Sequence, residues 1–424
     1  MFSKRLIRLS PIHRASLPSS ARIITLTSQN RANSTTPKRP LVPRKFPTSG
    51  FEVIDEQIKV EEETLPFYNP NLFCPVTIGQ IFAKRYQVVA KLGFGTTSTT
   101  WLCHDLLGHR YVTLKVHVNT ITLNRELEVY RHIKDIESDH PGREMIRMFK
   151  LQGPHGIHEI FILPPLGLSL GLLQEMAPGH ALNQPIPTMA LQQVLVALDF
   201  LHGLANPIHT DIHAGNLLIG IADESKLAAF EEAGMDKPTA RKMAGGPYGI
   251  GIPTGPLFLC DFGEARIGSQ HEGVAMPIQY RAPEIILDMP WGRSVDMWSA
   301  GLLAWDLLVP ESLFQVYDAA DPTRNEAHHL ANMIALLGPR PLELLKRSSK
   351  SRKYWDENGN WKDIVPIPME RTLDSLAIAV EEGKDKDNFL DFVRGVLRWG
   401  PEERLHTSDS FAHPWVWPEL QLEQ

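Results

Sequence analysis

Two closely spaced glycines lie in a segment that could bind phosphate. Glycines one residue apart let the backbone approach phosphate oxygens, with main-chain N–H groups as donors. The segment lacks the Gly-Lys-Ser/Thr ending of a Walker A loop, and a predicted strand follows it rather than the helix of a dinucleotide-binding fingerprint. By itself the spacing indicates a candidate phosphate-binding hairpin, whose residues are Leu92, Gly93, Phe94, Gly95, Thr96, Thr97 and Ser98.

A single lysine, Lys115, interrupts the apolar run of the strand predicted at Tyr111–Val118. Desolvating an unpaired ammonium group is costly, so a lysine inside a strand needs an acidic partner. The helix predicted next in the chain offers Glu126, and Glu128 is the less suitable choice. The alternative is an edge-strand lysine in solvent, and these residues alone do not separate the two.

Acidic and amide side chains recur downstream in a fixed order. Asp211 and Asn216 stand five residues apart in a loop after a predicted helix, and Asp261 follows an apolar strand. Chance does not plausibly explain the joint order and spacing of the motifs that contain and follow them. These motifs are His209-Thr210-Asp211-Ile212-His213-Ala214-Gly215-Asn216, Asp261-Phe262-Gly263, Ala282-Pro283-Glu284, Asp296-Met297-Trp298 and Pro401-Glu402-Glu403-Arg404.

Through these motifs the chain, from about Tyr86 to Trp415, resembles a eukaryotic protein kinase. The resemblance implies transfer of the γ-phosphate of ATP to a protein hydroxyl, a reaction in which the protein supplies positioning and charge compensation. Asp211 would then accept the hydroxyl proton, and Lys115, oriented by Glu126, would pair with the α- and β-phosphates. Asn216 and Asp261 would hold Mg²⁺, while the backbone of residues 93–98 would cover the phosphates.

The same resemblance places the adenine-binding hinge after a strand predicted at Ile160–Leu163. Pro164 would supply a carbonyl and Leu166 an N–H group, so no proline stands where a donor is required. The resemblance also implies a buried ion pair between Glu284 and Arg404. Asp296 would brace the loop that carries Asp211.

Departures from the general pattern narrow the family. Ser98 replaces the third glycine of the loop, Thr210 replaces the usual arginine, and an insertion at residues 221–256 precedes Asp261. With the tail at residues 351–359, these features are similar to the SR-protein kinases, particularly their shorter fungal relatives. That similarity implies a serine/threonine kinase acting on Arg/Ser-rich protein substrates and linked to mRNA processing.

Two of these departures affect the mechanism. The arginine that Thr210 replaces usually receives an activation-loop phosphate, and residues 264–279 contain Ser269 as their sole hydroxyl acceptor. We therefore expect activity without activation-loop phosphorylation. His213 stands where such kinases usually carry lysine, and histidine is only partly charged at neutral pH. The alternative to an active enzyme is thus a catalytically weak pseudokinase, a nucleotide-binding scaffold.

The elements that must position these residues change character along the chain. Short β-branched runs predict an antiparallel meander, and 3.6-residue periodicity predicts mainly helices beyond it. We therefore predict an α+β fold with two lobes, a small antiparallel β-rich N-lobe at residues 86–165 and a larger, mainly helical C-lobe at residues 166–424. The predicted strands are Tyr86–Leu92, Thr97–Leu102 and Tyr111–Val118, and the predicted helices are Thr122–Ile133, Met189–His202, Val295–Leu308, Asn325–Leu337, Phe389–Leu397 and Ser408–Trp415.

Residues 1–50 form a different kind of polypeptide, with ten Lys or Arg and no acidic residue. We expect this basic leader to be disordered or removed. Its amphipathic, Arg-rich and Ser-rich start is typical of a mitochondrial presequence, and a generic basic tail is the alternative. The leader thus suggests mitochondria, whereas the family resemblance implies cytoplasm and nucleus. Residues 51–85 are predicted to be an arm that leads into the N-lobe.

Composition limits which partners and which membrane topology the chain can have. The 424 residues include 43 basic and 49 acidic side chains, for a net charge of −6, so no global basic field indicates nucleic acid as a direct partner. Without the leader, the 33 basic and 49 acidic residues of 51–424 leave a net charge of −16. The longest apolar run, Ala300–Val309, is too short to span a membrane. We expect a monomer that takes ATP, Mg²⁺ and a protein substrate.

Overall fold

The computed structural model describes residues 39–55, 57–120, 124–134, 136, 147–238 and 255–418. The leader up to residue 38 and residues 239–254 of the insertion therefore lie outside the described residues. So do residues 121–123, at the start of the helix predicted at Thr122–Ile133.

An antiparallel sheet of six strands forms the small lobe of the described chain, in the order β1-β2-β3-β4-β6-β5. Val88, Leu114 and Ile160 from three of these strands are completely buried in one apolar cluster. The predicted meander is confirmed, and each of its strands differs from the prediction by a few residues at its ends. The strands are β1 (Ile81–Phe82), β2 (Tyr86–Phe94), β3 (Ser98–Asp105), β4 (Arg110–His117), β5 (Arg147–Gly153) and β6 (Gly156–Leu163), and helix α1 (Arg125–Lys134) lies between β4 and β5.

The large lobe consists mainly of helices, and short strands flank several of its loops. Within the described residues the strands are β7 (Leu166–Ser169), β8 (Pro207–Ile208), β9 (Leu217–Gly220), β10 (Leu257–Leu259) and β11 (Arg266–Ile267). The helices are α2 (Leu170–Met176), α3 (Ile186–Phe200), α4 (Ser225–Asp236), α5 (Pro283–Ile286), α6 (Ser294–Leu308), α7 (Asn325–Leu337), α8 (Leu342–Lys346), α9 (Ser351–Tyr354), α10 (Leu373–Leu376), α11 (Lys384–Val396) and α12 (Thr407–Ser410). The predicted two-lobed α+β fold is confirmed.

Helices α3 and α6 pack against each other at the centre of the large lobe. Helix α6 is buried almost all round, including Trp298 and Trp305, as expected of a helix that is apolar on every face. By length and hydropathy alone, Ile186–Ala205 could cross a membrane. In the structure Leu191 and Leu195 of this segment are completely buried in the large-lobe core, which is where a core helix lies.

The helix predicted at Ser408–Trp415 is much shorter than expected, since α12 ends at Ser410. Pro414 cannot donate the backbone hydrogen bond that a continuing helix needs. Trp415 is buried against Phe389 and Phe392 instead, at ring-centroid distances of 5.0 and 5.4 Å. Its apolar character therefore reflects packing rather than helical periodicity.

The chain before β2 is bound to the small lobe over most of its described length. In the predicted arm, β1 pairs with β2, and Lys91 on β2 is ion-paired with Glu61 and Glu62. Within the predicted leader, Leu41 N–H donates to Leu106 O at 2.8 Å. Residues 39–46 thus lie against the sheet, because their backbone groups find partners there that composition does not reveal.

Candidate active site

The glycine-rich segment forms the hairpin between β2 and β3, as the sequence predicts. Gly95 N–H donates to Ser98 O at 2.8 Å and closes the turn. Gly93 lies opposite Thr100, and a Cβ atom at Gly93 would approach Thr100 Oγ1 to 3.2 Å. Phe94 is 44% exposed at the tip, whereas Ser98 is buried. The phosphate contact of this hairpin stays a prediction.

Lys115 is not an edge-strand lysine, because β4 lies between β3 and β6. Its Nζ atom is 2.7 Å from Glu126 Oε2 on α1 and 3.6 Å from Asp261 Oδ1. Burial alone would lower the pKa of Lys115, but Glu126 and Asp261 outweigh it and raise that pKa. Burial likewise opposes ionisation of Glu126, yet Lys115 and His117 lower its pKa to about 2. Both groups are therefore charged at neutral pH, and the predicted pair is formed.

Two further side chains hold Glu126, and sequence reasoning missed both. His117 Nε2 lies 3.3 Å from Glu126 Oε2, and Tyr130 OH donates to Glu126 Oε1 at 3.2 Å. His117 follows Lys115 by two residues, so both side chains point to the same face of β4. Tyr130 follows Glu126 by four residues and shares its helix face. These two spacings were the available signal.

The catalytic loop brings Asp211, His213 and Asn216 together. Asn216 Nδ2 donates to Asp211 Oδ2 and to Asp211 O, each at 2.9 Å, and His213 Nε2 lies 3.6 Å from Asp211 Oδ1. Burial tends to raise the pKa of Asp211, but the polar contacts from His213, His209 and Asn216 outweigh it and lower that pKa. Asp211 is therefore an ionised proton acceptor at neutral pH.

The tautomer of His213 follows from its backbone contact. Gly215 N–H donates to His213 Nδ1 at 3.1 Å, so Nδ1 carries no proton in this arrangement. The geometry thus assigns the ring proton to Nε2, on the side of Asp211. In this state His213 is a neutral hydrogen-bond donor rather than the cation that lysine would supply.

Asp296 braces the catalytic loop from below, in line with the family resemblance. Its carboxylate accepts hydrogen bonds from the backbone N–H groups of His209, at 2.8 Å, and Thr210, at 2.7 Å. His202 Nε2 lies 2.8 Å from the same carboxylate. Thr210 adopts a positive φ of 67°, which non-glycine residues rarely adopt. These contacts stabilise the strained loop that presents Asp211.

Asp261 and Phe262 connect the catalytic loop to the small lobe. Cys260 N–H donates to Asn216 O at 2.9 Å, so the two predicted metal ligands lie on neighbouring backbone segments. The Phe262 ring lies 5.4 Å from that of Tyr130 on α1 and 5.0 Å from that of His209. These ring contacts join both lobes next to the Lys115–Glu126 pair.

The donor set of Asn216 and Asp261 fits Mg²⁺, which prefers oxygen ligands. Asn216 uses Nδ2 for its contacts with Asp211, so its amide oxygen Oδ1 remains available as a ligand. The Asp261 side chain is about half exposed, and its Oδ1 atom lies 3.6 Å from Lys115 Nζ, within the site. The two residues could therefore bind a divalent cation together.

The hinge lies between β6 and β7, where Pro164 and Pro165 connect the lobes. Leu163 pairs with Thr113 on β4, two residues before Lys115, and Leu166 pairs with Gly220 on β9. The hinge is thus fixed to both lobes by sheet pairing. The adenine contacts assigned to Pro164 and Leu166 stay predictions.

The activation segment is held by backbone hydrogen bonds and by side-chain contacts. Thr210 Oγ1 donates to Glu264 O at 2.9 Å. His271 and Trp291 exchange two backbone hydrogen bonds of 2.8 Å. Further along, Glu284 and Arg404 form a bidentate ion pair with two contacts of 2.6 Å, and both side chains are 1% exposed. The Glu284–Arg404 pair implied by the family resemblance is therefore present.

Together the fold and the site define a two-lobed phosphotransferase. Its lysine, carboxylate and amide side chains lie between the two lobes. The chain belongs to the protein kinase family, since the protein kinase domain family matches residues 86–416. A serine/threonine protein kinase of Aspergillus fumigatus is 41% identical over 391 residues, which cover 89% of this chain and 96% of that protein. The protein is accordingly a serine/threonine protein kinase.

More distant relatives include the kinases that the sequence motifs indicated. Serine/threonine-protein kinase SRPK of Physarum polycephalum is 28% identical over 396 residues, covering 84% of this chain and 91% of that protein. SRSF protein kinase 3 of Homo sapiens is 23% identical over 518 residues, with the same two coverages. The resemblance to SR-protein kinases is confirmed, and the pseudokinase alternative is not supported.

Proposed function

We propose that this kinase phosphorylates serine in Arg/Ser-rich proteins and acts in mRNA processing, using ATP and Mg²⁺. The observation that carries the substrate class is a partly buried carboxylate, Asp306, close to the catalytic loop. Its Oδ2 atom accepts a hydrogen bond from Tyr280 OH, and among the described residues no Lys or Arg forms an ion pair with it. The net charge of −16 for residues 51–424 and the names of the distant relatives agree with a basic substrate.

Asp306 is poised to receive a cation. Burial raises the pKa of Asp306 to about 6, although Tyr280 and His213 act in the opposite direction. The His213 ring lies 6.2 Å from the Tyr280 ring, so Asp306 adjoins the residues that flank Asp211. A substrate arginine next to the target serine would supply the missing positive charge, and charge-assisted hydrogen bonds of this type are strong.

The chemistry follows from the positions of the chain's own residues. Asp211 accepts the proton of the serine hydroxyl as its oxygen bonds to the γ-phosphorus and the bond from that phosphorus to the β–γ bridging oxygen breaks, leaving ADP. Lys115, fixed by Glu126, pairs with the remaining phosphates. Asn216 and Asp261 would hold Mg²⁺, which would supply charge neutralisation for the phosphates.

Turnover of a defined peptide tests this function. The full chain with Mg-ATP should phosphorylate an Arg/Ser peptide, and an otherwise identical peptide with glutamine for arginine should react at least tenfold more slowly, the size expected for a lost charge-assisted contact of about 1.5–3 kcal/mol. Asp211→Ala, checked for unchanged thermal unfolding, is the matched enzyme control. Equal rates on the two peptides would reject the substrate class, and equal signals from the two enzymes would reject catalysis by Asp211.

We also propose that the leader directs the protein to mitochondria, with cytoplasm and nucleus as the alternative that the family supports. The basic, acid-free composition of residues 1–50 and the amphipathic Phe2–Ser10 support the first location.

A further inference from the structure

Helix α4 belongs to the large lobe by chain connectivity but packs on the small lobe. It follows β9, which pairs with β7 and β10 of the large lobe. Leu227 of α4 is nevertheless completely buried in a cluster with Val89 and Ala90 of β2 and Leu102 of β3. Leu92, the first residue of the glycine-rich segment, packs against the same cluster. The insertion thus contacts the strand that leads into the phosphate-binding hairpin.

A buried carboxylate fixes α4 in this place. Glu231 is 1% exposed at its side chain, and its Oε2 atom accepts a hydrogen bond from Tyr111 OH on β4. Its other oxygen, Oε1, has no hydrogen-bond partner in the described part of the chain and lies 3.6 Å from Arg44 Nε. Burying a carboxylate costs free energy unless an opposite charge is close, so Arg44 supplies the compensation that this contact needs.

Arg44 joins three parts of the molecule. Its backbone N–H donates to Gln87 Oε1 at 2.9 Å, and its carbonyl accepts from Gln87 Nε2 at 2.7 Å, which fixes the N-terminal segment to β2. Its Nη1 atom donates to Glu232 Oε1 of α4 at 2.5 Å. One side chain therefore connects the N-terminal segment, the small-lobe sheet and the large-lobe insertion.

We propose that Arg44 and α4 form a latch that sets the separation of the lobes and thereby positions the glycine-rich hairpin over the nucleotide. The lobes are also connected by the hinge at Pro164 and Pro165 and by the contact between Phe262 and Tyr130. The latch adds a further tether at a separate place, which restricts lobe rotation more, so the site is held close to the width that the nucleotide needs. A preorganised site binds more tightly because less ordering occurs on binding. Arg44 and Glu231 are positioning residues, since they act through β2 and α4.

The inference rests on ATP binding, so Mg-ATP affinity of the unaltered full chain is measured first, by titration calorimetry. Arg44→Ala should then raise the Kd of Mg-ATP about fivefold, which corresponds to about 1 kcal/mol. It should raise the KM for ATP to a similar extent and leave kcat at saturating ATP within twofold. Arg44→Lys, which keeps the charge, should recover most of the affinity. Lys45→Ala removes the neighbouring cation, which has no ion pair among the described residues, and should leave the Kd unchanged.

A double-mutant cycle isolates the latch. In a Glu231→Gln, Glu232→Gln background, Arg44→Ala should change the Kd less than twofold, because its partners are already gone. An unchanged Kd for Arg44→Ala with a lowered melting temperature would show a purely structural role and overturn the proposal. So would an equal loss for Lys45→Ala or full additivity in the cycle.

Discussion

Charged side chains at the site are stabilised in pairs and small networks. Lys115 and Glu126 are both strongly buried. Glu126 raises the pKa of Lys115, and Lys115 lowers the pKa of Glu126, so both side chains stay charged. Asp211 stays ionised because polar neighbours surround it. The site can therefore hold an ionised base and a phosphate-binding cation at neutral pH.

His213 is the residue at which this site departs most from a lysine-containing one. We expect His213→Lys to raise kcat several-fold, up to about tenfold, because a permanent cation stabilises charge that develops on the transferring phosphoryl group. Steady-state rates at saturating ATP and peptide measure the effect. His213→Gln, which keeps a neutral donor, is the control and should stay within about threefold of the unaltered enzyme. A lower kcat for His213→Lys would show that the neutral donor to Asp211 matters more than the charge.

Replacing Asp306 should change stability and function in opposite directions. Its pKa is raised from 3.8 in the unfolded chain to about 6, so its favourable contribution to folding is complete below pH 4 and is lost as pH rises through 6. Asp306→Asn should therefore be more stable than the unaltered protein by up to about 3 kcal/mol at pH 7.5, from about two pKa units at 1.36 kcal/mol each. At pH 4 the difference should vanish.

Urea unfolding at the two pH values measures this stability difference. Peptide kinetics measure the accompanying change in KM for the substrate. The KM for an Arg/Ser peptide should rise in Asp306→Asn, while the KM for the glutamine-substituted peptide should not change. A variant with unchanged stability at pH 7.5 would contradict the buried, ionised carboxylate. An unchanged KM would remove Asp306 from substrate recognition.

At the scale of elements, hydrogen bonds hold the activation segment at several points. Thr210 Oγ1 reaches Glu264 O, and the His271–Trp291 backbone pair fixes the centre of the segment. Ser269, two residues before His271, is exposed. Ordinary hydrogen bonds thus make the connection that a phosphate and an arginine make in many kinases.

We therefore expect Ser269→Ala to retain kcat/KM within about twofold, since a surface substitution away from such contacts changes little. Phosphatase-treated enzyme should behave in the same way in an initial-rate assay. Thr210→Ala is the informative contrast, because losing its hydrogen bond should cost about 1 kcal/mol of stability. A tenfold loss of activity in Ser269→Ala would reject phosphorylation-independent activity.

Elements with strong local patterns were predicted well, and those defined by distant contacts were not. Helix α7 has the predicted bounds, Asn325–Leu337, because its apolar residues repeat at helical spacing over three turns. Trp415 suggested a longer α12, but its side chain packs on α11, which no local pattern reveals. Helix α4 was described only as an insertion, since its buried face meets residues more than a hundred positions away.

At the scale of the whole molecule, part of the predicted leader contacts the small lobe, since Leu41 N–H donates to Leu106 O and Arg44 N–H donates to Gln87 Oε1. A fluorescent fusion of the full chain should reach mitochondria, and a variant lacking residues 1–38 should not, because an Arg-rich amphipathic start is what import requires. The same deletion should leave Mg-ATP affinity unchanged, since Arg44 remains, whereas removal of residues 1–50 should weaken it. Imaging and titration calorimetry give the two readouts. A location that does not change on deletion would reject the presequence.

By itself the sequence determined the family, the two-lobed α+β fold and the residues able to perform phosphoryl transfer. These depend on residue types at short, fixed spacings within one loop or strand. The tertiary structure decided which partners those residues have. Glu126 is held by His117 and Tyr130, Asp306 accepts a hydrogen bond from Tyr280 close to the catalytic loop, and Arg44 reaches α4. Such contacts join segments far apart in the chain, so their energies depend on packing geometry, which residue order does not specify.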